Sequence, residues 1–197
     1  MNRFRFRAAI VTVAAAAAVG VGVSPALAVP DDTNVTVAAG TLSITDPAVA
    51  NFPDVTLNGT AQTADAAVDS YTINDATGSG SGWKVTLQAT QLTEWDSTLN
   101  AGAGDYVTTT PRTFATSSLS LPAPTVTSPN TTSTDPTIST GPYSIDAAGA
   151  VTVASAAVDT GMGEYVFTAG TLTVSVPTNA YAAAYRSDVT LSVVTGP

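Results

Sequence analysis

The chain contains no cysteine and no histidine, and charged residues fill only 11% of its 197 positions. A typical soluble domain is about 25% charged. Without Cys there is no disulfide framework, no thiolate nucleophile and no lipidated N-terminal Cys. Without His there is no Ser-His-Asp triad, no haem ligation by His and no zinc site of the usual kind. Lysine occurs once, at Lys84, with no Ser-x-x-Lys before it. Glutamate occurs only at Glu94 and Glu164. A glycosidase needs two carboxyls at a defined separation, and nothing in the sequence brings these two together.

What is present is apolar and β-branched. Hydrophobic residues reach 44%, too many for a disordered chain, and Thr appears 34 times. Residues 1–28 read as a secretory signal peptide. Arg3, Arg5 and Arg7 form the basic region, residues 8–23 an uncharged Ala-rich stretch, and Ser24-Pro25-Ala26-Leu27-Ala28 a small-x-small cleavage site. The apolar stretch is short for a membrane span, which needs about 20 residues. The mature chain is then residues 29–197, with no membrane segment after cleavage. It keeps Lys84, Arg112 and Arg186 against all 15 acids, a formal charge of −12. Nucleic acid and anionic lipid are disfavoured partners for such a surface. The last residues carry no apolar tail, basic cluster or sorting signal, so attachment to a cell is expected to be non-covalent.

Period-2 alternation dominates the mature chain. Candidate strands are residues 34–37, 41–45, 55–62, 68–74, 83–91, 144–146, 150–156, 164–176 with a break near Gly170, and 188–194. Trp83, Val85, Leu87 and Ala89 share one face of their strand, with Lys84, Thr86, Gln88 and Thr90 on the other. One apolar and one Thr-rich face suit an antiparallel sheet buried on one side. The expected fold is all-β: a single antiparallel β-sandwich of Greek-key, immunoglobulin-like type. A Pro/Thr-rich segment at about 94–142 reads as an insertion, since Pro is excluded from central strands. The Ala182-Ala183-Ala184 run favours helix locally but is too short to count.

Few motifs carry chemistry. Asp159-Thr160-Gly161 matches the aspartic-protease triplet, but that reaction needs two carboxylates sharing a proton, and no second triplet occurs. A Gly-containing turn accounts for it. Asn74-Asp75-Ala76-Thr77-Gly78 offers oxygen ligands without EF-hand spacing, and an Asx turn accounts for it. No metal, cofactor or catalytic residue is assigned.

The segment Asp75-Ala76-Thr77-Gly78-Ser79-Gly80-Ser81-Gly82-Trp83-Lys84-Val85 puts three alternate glycines before a strand that opens with Trp. It resembles the proximal Trp-x-Leu motif of the WxL surface cell-wall-binding domain of Gram-positive bacteria, with Val85 in the Leu position. The distal motif of that family, Tyr-x-x-x-Leu-Thr-Trp-Thr-Leu, is similar to Tyr185-Arg186-Ser187-Asp188-Val189-Thr190-Leu191-Ser192-Val193, with Leu191 in place of Trp. The resemblance covers roughly residues 33–197. It implies an exported, secreted, non-enzymatic protein of the cell surface, held without covalent bonds on peptidoglycan or another wall polymer. Other surface proteins are further candidate partners, and a structural or adhesive subunit that binds protein through exposed strand edges is the alternative.

Trp83, Lys84, Val85, Tyr185 and Arg186 are the candidate wall-binding residues, with Trp95 as a second candidate. Trp83 has the parity of a core plug, and the other role open to it is a stacking surface for sugars. Trp95, in Glu94-Trp95-Asp96, is either a glycan-stacking residue or an anchor for its own loop. Lys84 and Arg186 both have polar-face parity. Neighbouring strands would make them a basic spot on an acidic surface; otherwise they are two unrelated solvated charges. A mostly anionic wall repels a −12 domain at long range. Binding must then rest on stacking, hydrogen bonds, a local basic spot or bridging cations.

Overall fold

The computed structural model describes residues 33–130 and 132–197; the expected signal peptide, residues 1–28, lies outside the described residues. Fifteen strands follow one another among them. They are β1 (Leu42–Ile44), β2 (Gln62–Ala67), β3 (Tyr71–Asp75), β4 (Trp83–Ala89), β5 (Thr93–Asp96), β6 (Asp105–Tyr106), β7 (Leu119–Leu121) and β8 (Thr125–Thr127). Then come β9 (Thr137–Ile138), β10 (Tyr143–Ser144), β11 (Val151–Ala156), β12 (Gly163–Thr168), β13 (Thr171–Val176), β14 (Ala184–Arg186) and β15 (Val189–Thr195). The described residues contain no α-helix, and none of their helices is long and apolar enough to cross a membrane.

Hydrogen bonding orders the strands as β1-β3-β12-β8, β10-β7-β13-β2, β15-β4-β11-β9 and β14-β5-β6, all antiparallel. The four sheets are halves of two bent layers. In the first layer β3 pairs with β12 while β2 pairs with β13, and β2 runs into β3 as β12 runs into β13. The alternation breaks at residues 68–70 and at Ala169-Gly170, level with Pro122 and Pro124 between β7 and β8. A side chain at Gly170 would lie 2.3 Å from Pro122 Cγ, so glycine lets the two bends nest. In the second layer β4 pairs with β15 and, past a break at residues 90–92, β5 pairs with β14. There the Thr90 N–H donates to the Asp188 carbonyl (2.9 Å), and the Asp188 N–H to Thr90 Oγ1 (2.8 Å). The fold is thus the antiparallel β-sandwich that the alternation predicts, with the chain crossing repeatedly between layers.

The core fills the space between the layers. Trp83, Val85 and Leu87 of β4 face Ile73, Tyr165 and Phe167 of β3 and β12, all at most 5% exposed. The Tyr71 and Phe167 rings stack at 5.0 Å with planes 4° apart. A bulge in β11 between Thr152 and Ala154 turns two successive residues, Val153 and Ala154, inward. The carboxylate of buried Asp146 accepts the Ser118 and Leu119 N–H groups, at 2.9 and 3.1 Å, and so ties the start of β7 to the turn after β10.

Residues 94–142, expected as an insertion, contribute most of β5 and all of β6 to β9. β7 lies between β10 and β13 inside the first layer. The expected strand at 34–37 is absent: residues 33–40 lie in no strand and are exposed. Likewise residues 55–61 are irregular, and their strand begins only at Gln62.

Burial pushes the Tyr71 phenol far above its ordinary value, with nearby Tyr143 adding to the effect, and burial also raises Tyr143. A phenol raised in the folded state stabilises the fold fully below the unfolded value, about 10. That contribution is lost as pH rises through the folded value. With no His or Cys, stability measured by denaturant unfolding is expected to be flat between about pH 6 and 9 and to fall above about pH 10. Tyr71→Phe should blunt the alkaline fall.

Candidate functional site

The proximal motif is built around a dock for Trp83. Its indole is fully buried, and the N–H donates to the Gly161 carbonyl at 2.8 Å. The ring packs on Tyr165 at 5.9 Å and edge-on to Phe167 at 6.4 Å. Gly161 has φ +72°, and a side chain there would lie 2.2 Å from Ala156 Cβ and 2.9 Å from Trp83 Nε1. The Asp159-Thr160-Gly161 triplet is therefore the turn that receives the indole. Gly82 seats the preceding loop on the same turn: at φ +70° its added Cβ would meet the Ala156 carbonyl at 2.4 Å. The Asp159 N–H bonds the Gly80 carbonyl at 2.8 Å. In the loop, Asp75 Oδ1 accepts the Thr77 N–H and hydroxyl, at 3.0 and 2.6 Å, which is an Asx turn.

Trp83 and Val85 reach no solvent. Both were expected as wall contacts, and in the fold their side chains lie wholly inside the core. Lys84 points to the opposite face of β4, half-buried, between Ser155 and Val194. Arg186 lies beyond the bend at Thr90, on β14 opposite Thr93. Six residues at about 3.3 Å each put Lys84 and Thr90 about 20 Å apart. The expected basic spot does not form, because the chain changes sheet halves at Ser187-Asp188.

Arg186 finds other company. Its guanidinium lies 4.5 Å from the centre of the Trp95 ring and 3.5 Å from Asp188. Tyr106 meets Trp95 edge-on at 5.2 Å and donates its hydroxyl to Asp188 Oδ2 at 2.8 Å. Burial, then the bond to Asp188, raises the Tyr106 phenol. Gly104, at φ +82°, backs the indole: a side chain there would lie 2.4 Å from Trp95 Cζ2. These contacts hold the Trp95 ring in place, half-buried at the edge of β5.

Arg112 repeats the arrangement. It lies 4.4 Å from the Tyr181 ring centre and 3.5 Å from Glu94. The Arg112 N–H donates to Glu94 Oε2 at 3.1 Å. Tyr185, half-buried, packs at 4.5 Å on Phe114 and donates its hydroxyl to the Tyr181 carbonyl at 3.1 Å. Burial, then the Glu94 charge, raises its phenol. Glu94 and Glu164 are far apart in the topology: Glu94 pairs with Arg112, and Glu164 accepts an Asn130 amide proton at 3.1 Å.

The three-stranded half-sheet β14-β5-β6 thus gathers Arg112 and Arg186, each held by one carboxylate and laid on one aromatic ring. A groove of about 820 Å³ runs beside it, lined by Asn51, Phe52, Asp54, Trp95, Tyr185 and Arg186 among others. A second of about 550 Å³ continues past Phe52 and Tyr185 to Tyr181. Phe52, Tyr106, Arg112, Phe114 and Tyr181 carry no sequence signal for this cluster. They come from separate loops and 2–3-residue strands that only tertiary pairing assembles. Among the described residues no group of three or more acidic side chains is placed to hold a metal ion.

Trp83→Ala is expected to cost about 3–5 kcal/mol of folding stability, the range for emptying a large aromatic site. Trp95→Ala, at a half-buried site, should cost about 1 kcal/mol. Paired urea unfolding curves check the contrast. A family model described as WxL domain surface cell wall-binding matches residues 12–197. No curated protein and no solved structure matches the chain.

Proposed function

This chain belongs to the WxL family of surface cell wall-binding domains, and on that premise we propose that it is an exported, non-enzymatic protein that grips peptidoglycan non-covalently through its arginine–aromatic half-sheet. Its seat is the cell surface. In this reading residues 1–28 are removed on export and residues 29–197 act as one domain.

The observation that carries the reading is the groove beside Trp95, Tyr185 and Arg186, where the distal motif surfaces. Aromatic rings offer apolar faces to sugar rings, and Tyr hydroxyls and the Asn51 amide bond sugar hydroxyls. Arg186 supplies a guanidinium for the carboxylate of a peptide stem. Its ion pair with Asp188 is about half-exposed on both sides. Such a pair is worth about 0–1 kcal/mol, so it yields readily to a better-placed ligand. The proximal motif serves by burial: Trp83 locks the Gly-rich loop and the start of β4. A non-catalytic role is supported by the engagement of both glutamates, Glu94 on Arg112 and Glu164 on Asn130.

The test is co-sedimentation of the purified protein with isolated, protein-free cell walls. Trp95→Ala and Arg186→Ala should each weaken binding about tenfold, or 1.4 kcal/mol. Lys84→Ala, on the other half of the layer, should bind as the unchanged protein does. Wall binding that ignores both Trp95→Ala and Arg186→Ala would contradict the assignment.

A further inference from the structure

The three four-stranded sheets leave six edges, and five are guarded in the usual ways. β1, β8, β9 and β10 are two or three residues long, with Pro47, Pro124, Pro136 and Pro142 at or near their ends. β2 is longer, but its end is bridged by Val49 to Val68, and the Ala50 N–H donates to the Ala67 carbonyl at 2.9 Å. Its start is covered by the Gln62 side chain, which donates to the Thr56 carbonyl at 3.1 Å.

β15 is the exception. It runs seven residues, Val189–Thr195, with neither charge nor proline. The Thr90 N–H bonds the Asp188 carbonyl and the Gly196 N–H bonds the Gly82 carbonyl, both at 2.9 Å. These two bonds fix the phase of the ladder. Thr190, Ser192 and Val194 turn their backbone groups toward β4, so Val189, Leu191, Val193 and Thr195 turn theirs outward. β1 passes nearby, yet no backbone ladder joins it to β15. Val189, Leu191 and Val193 face the core and remain only partly buried. On their outer side the only nearby chain among the described residues is β1 and the segment at Asp46, Pro47 and Val49, none of it paired to β15.

The same chain carries a strand without a sheet. Residues 33–39 read Thr33-Asn34-Val35-Thr36-Val37-Ala38-Ala39, with the alternation of a strand. They lie in no strand, and Val35 and Val37 are each 88% exposed.

We propose that residues 33–39 of one copy add as a strand to the outer edge of Val189–Thr195 of a second copy, so that the protein assembles chain to chain on the surface. The lengths match at seven residues each. Main-chain bonds would satisfy the outward groups of β15, and the two valines would extend the Leu191 and Val193 layer. The donor and the open acceptor belong to one sequence, which is what assigns the occupant as another copy. This assembly needs no wall polymer, so it stands or falls apart from the wall-binding reading.

Sedimentation velocity of the exported protein over a wide concentration range tests it. Dimers or larger species are expected for the unchanged protein, and their loss for Val35→Asp/Val37→Asp, whose exposed positions leave the sandwich intact. The absence of cysteine allows a second check. Full-length Val37→Cys and Val193→Cys chains, mixed and oxidised, should form a disulfide-linked heterodimer, because adjacent strands hold Cα atoms within disulfide reach. Val158→Cys, 59% exposed and off the edge, should not replace Val193→Cys. A monomer at every concentration would overturn the proposal. So would oligomers that persist in the aspartate variant, or a Val37→Cys/Val193→Cys chain that closes its own disulfide while remaining monomeric.

Discussion

The seating of one indole on one glycine turn is the constraint on which the rest of this structure depends. Trp83 opens β4, and β4 is central: β15 pairs on one side, β11 on the other, and its apolar face closes the sandwich against β3 and β12. An indole buried without a partner for its N–H would lose about 1–3 kcal/mol. The Gly161 carbonyl removes that cost, and it comes within reach because Gly161 and Gly82 adopt backbone conformations closed to larger residues in that space. The Gly-rich loop and the Asp-Thr-Gly triplet, which the sequence reads as turns, are the two sides of that seat.

The second constraint is the bend shared by each pair of long strands. It divides one motif strand from another. Lys84 and Trp83 lie at one end of β4, while Tyr185 and Arg186 lie past the bend on β14. The two motifs that carry the family resemblance are therefore unequal in kind. The proximal one stabilises the fold from inside. The distal one reaches the surface, where two arginines lie on aromatic rings beside a groove. Residues 29–197 carry a formal charge of −12, and those two arginines are two of their three basic residues. Each already faces a carboxylate at 3.5 Å, which fits contact at short range better than steering from a distance.

Much of the fold was legible in the residues. Alternation marked β4, β11, β13 and β15 nearly to their ends, and the break near Gly170 separated β12 from β13. Parity correctly turned Trp83 inward and Lys84 outward. What escaped was short or overruled. β6 and β9 have two residues each, a single period of alternation; β10, expected at 144–146, lies at Tyr143–Ser144; and β7 and β8 sit among prolines that argue against strands. β14 begins in an Ala-rich run with helical preference, and its pairing with β5 decides otherwise. At 34–37 the error ran the other way: a strand pattern found no sheet in its own chain. The site was legible only in part. Tyr185, Arg186 and Trp95 stood out individually, but parity within a strand says nothing about which strand lies beside it. The bend that parts Lys84 from Arg186, and the loops that bring Tyr106 and Arg112 to them, are properties of tertiary pairing.

The two tryptophans divide the labour, Trp83 inside the fold and Trp95 at the groove, and their fluorescence reports on it directly. Trp83→Phe and Trp95→Phe leave one indole each, and both can be titrated with soluble peptidoglycan fragments in the presence of iodide. Trp95 emission is expected to shift and become shielded from the quencher as ligand binds, while emission from buried Trp83 stays unchanged. A response from Trp83 with none from Trp95 would contradict it.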